Sequence, residues 1–172
     1  MKLIVSPLPQ VEQLLAKHQP SHLLTLVSPG AEAAFDAEHR LDLRFNDIAA
    51  PREGLVAPSS THVESLLAFV KGWTGARPLL IHCWAGVSRS TAAAYAIACA
   101  RTAPGWEAEW AARLRGAAPT ATPNALIVAH ADRLLDRGGA MIRAVEAIGR
   151  GAETDWGDPF ELNLTSEGAR RR

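Results

Sequence analysis

The sequence predicts an α/β domain in which a mostly parallel central sheet of about four to five strands is flanked by helices. Three observations predict this fold class. Short apolar runs alternate with segments of helical spacing, and Pro and Gly separate them. Two of the apolar runs are continuous, as in strands buried on both faces. Apolar residues make up 48% of the 172 residues, which is enough to bury a core.

The first part of the chain alternates strand and helix patterns. An apolar run that stops before a proline predicts a strand. Apolar residues spaced three and four positions apart predict a helix, and alternation of charged and apolar residues predicts a half-exposed strand. The predicted elements are a strand at Lys2–Val5, a helix from Val11 to His18, a buried strand at His22–Val27, a helix-prone segment at Ala31–Ala37 and a half-exposed strand at Arg40–Phe45.

A long loop is predicted from Asn46 to Ser60, because this segment holds three prolines or glycines and has no periodicity. Thr61 and Glu64 match a capping box at the start of the next helix. The apolar residues before Cys83 predict a fully buried strand that begins near Pro78.

The second half is predicted to be mainly helical. Ser90–Ala100 is alanine-rich without a charged face, which is typical of a buried helix. Further helices are predicted at Trp106–Leu114, Asn124–Leu135 and Met141–Ile148. Residues 1–150 are thus predicted to form one domain. The composition then shifts to Gly, Glu, Asp and Arg, which predicts a loosely ordered tail over residues 151–172.

Composition and charge exclude several classes of function. Lys plus Arg and Asp plus Glu are both 18, so no net charge attracts the chain to nucleic acid or to an acidic membrane. The longest apolar run, Ala92–Ala100, has nine residues, too few to span a membrane. The N-terminus has no signal-peptide core and there are only two cysteines, so we expect a cytoplasmic protein. The oligomeric state is left open.

The segment His82–Ser90 carries the chemistry. It lies between the predicted buried strand and the buried helix, where successive N–H groups surround a concavity that binds anions. Gly86 permits a turn that a Cβ would hinder, and Arg89 offers a planar fork of donors to two oxygens of an oxyanion. In that positive field Cys83 is expected to be a thiolate at neutral pH, able to attack phosphorus.

This segment resembles the His-Cys-x5-Arg-Ser motif of the Cys-based protein tyrosine phosphatases, specifically their dual-specificity-phosphatase-like branch. A Phe-Asn-Asp sequence ends at Asp47, where these enzymes keep their general acid, and a Pro-Asn pair that ends at Asn124 opens a late helix, as in many of them. The resemblance covers roughly residues 20–135 and is specific at the loop. The residues that carry the motif are His82, Cys83, Arg89 and Ser90.

The resemblance implies a tyrosine-phosphatase-like fold and a protein phosphatase with a phosphocysteine intermediate. Cys83 would be the nucleophile, Asp47 the general acid, and Ser90 a donor to the leaving sulfur. Arg89 and the loop amides would hold the phosphate, so no metal or other cofactor is needed. His82 and Asn124 would support the loop. The loop amides are those of Trp84, Ala85, Gly86, Val87, Ser88 and Arg89.

The expected substrate is a phosphoprotein or a small phosphate monoester, with phosphotyrosine ahead of phosphoserine and phosphothreonine. Residues 84–88 contain no Lys or Arg, which disfavours highly charged phosphoinositides. An ionised thiolate and a protonated carboxyl must coexist, so we expect a bell-shaped pH profile with an optimum at roughly pH 5–6.5.

Alternatives remain at this stage. Glu53 and Asp42 are rivals of Asp47 as the acid. His82 is interpreted as a buried structural imidazole rather than a general base, and Asn124 either holds the loop or caps its helix. A non-catalytic phosphoprotein-binding module, an arsenate reductase and a sulfurtransferase share related loops. The reductase is disfavoured because Cys99 lies about 15 Å along the predicted helix from the loop.

Overall fold

The computed structural model describes residues 1–164, and residues 165–172 lie outside the described part. Its strands are β1 (Lys2–Pro7), β2 (His22–Val27), β3 (His39–Arg44), β4 (Leu79–Cys83) and β5 (Phe160–Asn163). Its helices are α1 (Val11–His18), α2 (Ser60–Lys71), α3 (Arg89–Ala100), α4 (Glu107–Ala117), α5 (Ala125–Leu134) and α6 (Ala140–Ile148). These elements confirm the predicted α/β fold class.

The strands form one sheet in the order β3-β2-β4-β1-β5. The pairs β2–β3, β2–β4 and β1–β4 are parallel, and β5 alone runs antiparallel, along the outer edge of β1. Strand β4 therefore lies in the middle, and its carboxyl end delivers Cys83 to the edge of the sheet where ligands of such folds bind.

Each face of the sheet packs into a separate apolar cluster. Residues Leu3, Leu24 and Ile81 point into the larger cluster, which α2 to α6 cover. Their sequence neighbours Ile4 and Leu23 point the other way, where α1 covers a smaller cluster. This alternation is the period of a pleated strand, and it explains why β1, β2 and β4 are apolar at consecutive positions. No helix within residues 1–164 is both long and apolar enough to cross a membrane.

Helix α3 crosses the larger cluster directly behind the loop that follows β4. Its residues from Arg89 to Cys99 are all buried, as the sequence predicts. The small alanine side chains let the helix lie close to the sheet and to α5. The N-terminus of α3 is thereby held at the end of β4.

Two local predictions are wrong. Residues 31–37 form no helix, because the side chains of Arg40 and Arg44 hold carbonyl groups of this segment, among them those of Ala31 and Ala33. The capping box of α2 also lies two residues earlier than predicted. Ser59 is the N-cap and exchanges hydrogen bonds with His62, instead of Thr61 with Glu64.

The structure also differs from the predicted tail. Instead of remaining loose, Phe160–Asn163 forms β5 and pairs with β1, so the domain extends past residue 150. Phe160 and Leu162 are buried in the larger cluster while their neighbours are exposed. Burial of these two side chains is the physical reason for the order. The rest of the predicted tail, residues 165–172, lies outside the described residues.

Candidate active site

The candidate nucleophile Cys83 ends β4 and is 2% exposed. Residues 83–89, here called the Cys–Arg loop, turn directly from β4 into α3. Gly86 has a φ of +74°, and a Cβ placed on it would lie 2.7 Å from the backbone nitrogen of Pro7. Only glycine fits both this conformation and this close approach, so the loop curls tightly against the end of β1.

Two polar groups contact the sulfur of Cys83. The backbone N–H of Gly86 donates a hydrogen bond to Sγ at 3.2 Å, and the hydroxyl oxygen of Ser90 lies 3.1 Å from Sγ. Ser90 is fully buried in the first turn of α3, where the helix dipole is positive. Both contacts and the dipole stabilise an anionic sulfur.

Arg89 is hydrogen-bonded through Nη1 but not through Nε. Its Nη1 donates to the carbonyl of Phe45 at 3.0 Å and to the hydroxyl of Ser28 at 3.3 Å. Its Nε is buried and has no hydrogen-bond partner within residues 1–164. A buried donor without a partner costs free energy, and such a group is typically kept where a ligand completes it. The guanidinium is thus held in one orientation by Nη1, and its Nε is a candidate donor to an oxyanion.

Asp47 lies beside this guanidinium. Its Oδ1 accepts hydrogen bonds from the hydroxyl of Ser88 at 2.7 Å and from Nδ2 of Asn124 at 2.8 Å. Its Oδ2 is 3.8 Å from Nε of Arg89. Oδ1 thus has two donors, whereas Oδ2 faces the guanidinium of Arg89.

Asn124 both caps its helix and holds the loop, the two roles that the sequence left open. Its Oδ1 caps α5 by accepting from the backbone N–H groups of Leu126 at 3.1 Å and Ile127 at 3.2 Å. Its Nδ2 donates to Asp47 and to the carbonyl of Ile48. The side chain therefore ties the Asp47 loop to the start of a helix and fixes the carboxylate.

The rival acids occupy other positions. Asp42 lies on β3 and forms a bidentate ion pair with Arg40, with distances of 2.9 and 2.5 Å. Glu53 is exposed on the loop after Asp47 and does not line the cavity that contains Cys83. Cys99 is buried near the end of α3, and burial raises its pKa to about 12.

His82 is a fully buried support for the loop. Its Nε2 lies 2.8 Å from the hydroxyl of Thr25, and the edge of the Phe35 ring meets it at 89°. Burial lowers the pKa of His82 to about 4, so the ring is neutral at neutral pH. A neutral ring on β4 next to Cys83 fixes the strand without adding a charge beside the sulfur.

Neutral burial of His82 makes stability depend on pH. The pKa falls from 6.5 in the unfolded chain to about 4 in the fold, so the full contribution is present above pH 6.5. This contribution to the free energy of unfolding, about 3 kcal/mol, is lost as the pH falls toward 4. We expect chemical denaturation to show this loss in the wild type and not in His82→Gln, whose amide keeps a partner for Thr25. Parallel stability–pH curves for the two proteins would contradict it.

Several contacts at the site carry no clear sequence signal. The hydroxyl of Ser88, predicted only as a loop residue, binds Asp47. The backbone N–H of Thr122 donates to the carbonyl of Val87 at 2.9 Å. The N–H of Gly157 donates to the carbonyl of Ala85 at 2.8 Å, so the predicted tail also supports the loop. These partners are distant in the chain, and only the tertiary fold brings them together.

One cavity unites the predicted residues. Cys83, Arg89 and Asp47 line it, whereas Ser90, His82 and Asn124 support it from behind. The cavity combines a thiol, a guanidinium and a carboxylate, which is a set suited to attack on an oxyanion ester. The other lining residues are Ser28, Ala31, Trp84, Ala85, Val87, Ser88 and Thr154.

No family model and no curated protein matches the sequence. Solved structures match the fold. DUSP15 is 18% identical over 87% of this chain and 94% of its own, with a TM-score of 0.62. Human DUSP28 is 19% identical over 78% and 88%, with a TM-score of 0.60. The human tyrosine phosphatase-like serine/threonine/tyrosine-interacting protein is 19% identical over 77% and 89%, with a TM-score of 0.58. On these matches, the chain has the fold of the dual-specificity-like protein tyrosine phosphatases.

Proposed function

We propose that this protein hydrolyses phosphate monoesters of proteins through a phosphocysteine. The observation that carries the proposal is one cavity lined by Cys83, Asp47 and Arg89, in which the buried Nε of Arg89 has no hydrogen-bond partner within residues 1–164. A guanidinium edge beside a sulfur nucleophile fits a tetrahedral oxyanion that is attacked from the sulfur side.

In the first step the sulfur of Cys83 attacks phosphorus. The S–P bond forms as the bond from phosphorus to the leaving oxygen breaks, and Oδ2 of Asp47 gives its proton to that oxygen. The equatorial oxygens are held by Arg89 and by the loop amides, and this stabilisation grows as charge shifts in the transition state. The products are a free alcohol or phenol and a phosphocysteine.

In the second step water attacks the phosphocysteine. Asp47, now ionised, takes a proton from the water while the S–P bond breaks and inorganic phosphate forms. The hydroxyl of Ser90 supports the departing sulfur, which it contacts at 3.1 Å. The thiolate and the protonated carboxyl are thereby restored.

Phosphoproteins are the proposed substrates, with phosphotyrosine ahead of phosphoserine and phosphothreonine. The loop side chains between Cys83 and Arg89 carry no positive charge that a polyphosphorylated lipid headgroup would need. Both cysteines are free thiols in the fold, which suits the reducing cytoplasm in which we place the protein.

The direct test is hydrolysis of p-nitrophenyl phosphate with vanadate as competitor. We expect turnover that vanadate inhibits, and a phosphorylated Cys83 in protein quenched during turnover. Absence of both turnover and vanadate binding would contradict the proposal.

Asp47→Asn is expected to lower kcat on a phosphotyrosine peptide roughly 10²-fold. The amide oxygen can still accept from Ser88 and Asn124, but it cannot supply a proton. The fall in kcat on the alkaline side of the pH profile should therefore disappear. Glu53→Gln, on the same loop, is the matched control and should leave both quantities unchanged. Equal losses in the two variants, or an intact alkaline limb in Asp47→Asn, would exclude Asp47 as the acid.

A second candidate is phosphoprotein binding without hydrolysis, because one of the matched structures is named a phosphatase-like interacting protein. Wild-type protein that binds phosphopeptides but shows no turnover would favour it. A thiol reductase is disfavoured by the position of Cys99, which is buried and lies at the far end of α3 from Cys83.

A further inference from the structure

Residues 149–157, here called the C-terminal strap, run against the Cys–Arg loop. The backbone N–H of Gly157 donates to the carbonyl of Ala85 at 2.8 Å, and that of Gly151 donates to Oγ1 of Thr122 at 3.1 Å. A Cβ on Gly157 would lie 3.2 Å from the carbonyl oxygen of Gly86. The strap is therefore fitted to the loop, and the strand β5 that follows it anchors it to β1.

The strap brings a second tryptophan beside Trp84, which lines the cavity. The ring of Trp156 lies 5.9 Å from that of Trp84, at an interplanar angle of 33°. Thr154 binds both the N–H and the carbonyl of Trp156, which sets the turn, and Thr154 also lines the cavity. The two rings form one aromatic wall, which begins at the residue next to the nucleophile.

This wall is unusually exposed. Trp84 is 51% and Trp156 45% exposed, and only Leu55 and Val56 among the large apolar side chains of residues 1–164 are comparably open. Two indole rings that pack against each other at a tilt beside this cavity, and remain open to water, form a surface that a ligand can cover.

Resting on the proposed function, we propose that Trp84 and Trp156 determine specificity by packing against the aromatic ring of phosphotyrosine. With phosphate held between Cys83 and Arg89, the next atoms of the substrate lie beside Trp84, which lines the same cavity. A phenyl ring presents a flat face to both indole rings of this wall, whereas the single methylene of phosphoserine has no flat face to pack against them. The wall therefore favours aryl over alkyl phosphates.

The charges of the strap agree with this occupant. Glu153 and Asp155 face solvent on the strap, against the single cation Arg150. Together with a Cys–Arg loop whose only cation is Arg89, they provide no additional positive charge for a polyphosphorylated headgroup. Selection by an aromatic contact needs no such charge.

The test compares two peptides of one sequence, carrying phosphotyrosine or phosphoserine, by calorimetric Kd. The protein is Cys83→Ser, which cannot turn the peptides over, with and without Trp156→Ala. We expect Trp156→Ala to raise the Kd of the phosphotyrosine peptide roughly 3- to 10-fold and to leave the Kd of the phosphoserine peptide unchanged. Trp156→Phe should restore most of the affinity for the phosphotyrosine peptide. Leu55→Ala, which removes another exposed apolar side chain, should leave both Kd values unchanged.

Equal weakening of both peptides, or no weakening of either, would overturn the aromatic wall. Vanadate inhibition of Trp156→Ala with Cys83 intact should match the wild type, which shows that the phosphate site is unchanged. A wild-type protein without vanadate-sensitive turnover on either peptide would instead refute the proposed hydrolysis, so the two failures are distinguishable.

Discussion

Cys83→Ser is expected to abolish hydrolysis of p-nitrophenyl phosphate, lowering kcat by at least about 10⁴-fold. The reason lies in the surroundings of the sulfur. Gly86 and Ser90, the two polar groups that contact the sulfur, can stabilise an anion that is already formed, but neither is a base that could take a proton from a serine hydroxyl. His82, the adjacent ring, contacts Thr25 through Nε2 and is neutral.

The matched control for this substitution is Cys99→Ala. Cys99 is equally buried, and its raised pKa keeps it a thiol, so its loss should leave kcat within about twofold of the wild type. Vanadate should still bind Cys83→Ser, since Arg89 and the loop amides remain. Turnover by Cys83→Ser close to the wild-type rate, or inactivity of both variants, would rule out a phosphocysteine at Cys83.

Arg89→Lys is expected to lower kcat about 10³-fold although the charge is kept. Nη1 of the guanidinium donates to both the carbonyl of Phe45 and the hydroxyl of Ser28. We expect Nε to donate to the substrate phosphate. An ammonium group has no planar fork and cannot do both at once. Steady-state kinetics should show the main loss in kcat rather than KM, because the contact strengthens as the transition state forms.

Arg113→Lys serves as the control for this second substitution. Arg113 is exposed and pairs with Glu109 one turn earlier on α4. Such a pair contributes little to stability and none to the site, so activity should be unchanged. A loss in Arg89→Lys of less than about tenfold would mean that a point charge suffices and that the fork is not used.

The sequence predicts those parts of the site that depend on local order. The Cys–Arg loop is contiguous, and Gly86, Arg89 and the following Ser90 have roles set by a strand-to-helix turn. The partners of Asp47 could not be derived in this way, since Ser88 and Asn124 follow it by 41 and 77 residues. Their contacts depend on how α3 and α5 pack near the end of β3. The periodicity of the sequence does not predict this packing.

Of the three wrong predictions, those at α2 and in the tail arose where the sequence signal is weak or misleading. His62 replaces the usual Glu or Gln of a capping box, so the pattern at Ser59 is hidden while Thr61 and Glu64 imitate it. The four residues of β5 alternate between buried and exposed, but so short a run within a polar segment does not stand out. Its pairing with β1 is a contact between the two ends of the domain, which composition alone does not show.

Strand β5 has one more consequence, for the behaviour of shortened chains. It covers the outer edge of β1, where Leu3, Ile4 and Val5 follow one another. Removing the chain after Gly149 would take away the hydrogen-bonding partners of this apolar strand and leave an open edge that can pair with other molecules. A fragment cut at the apparent end of the helical region would thus be prone to self-association. Because it would also lack Gly157, which donates to the carbonyl of Ala85 in the Cys–Arg loop, its inactivity would not report on the chemistry of the intact domain.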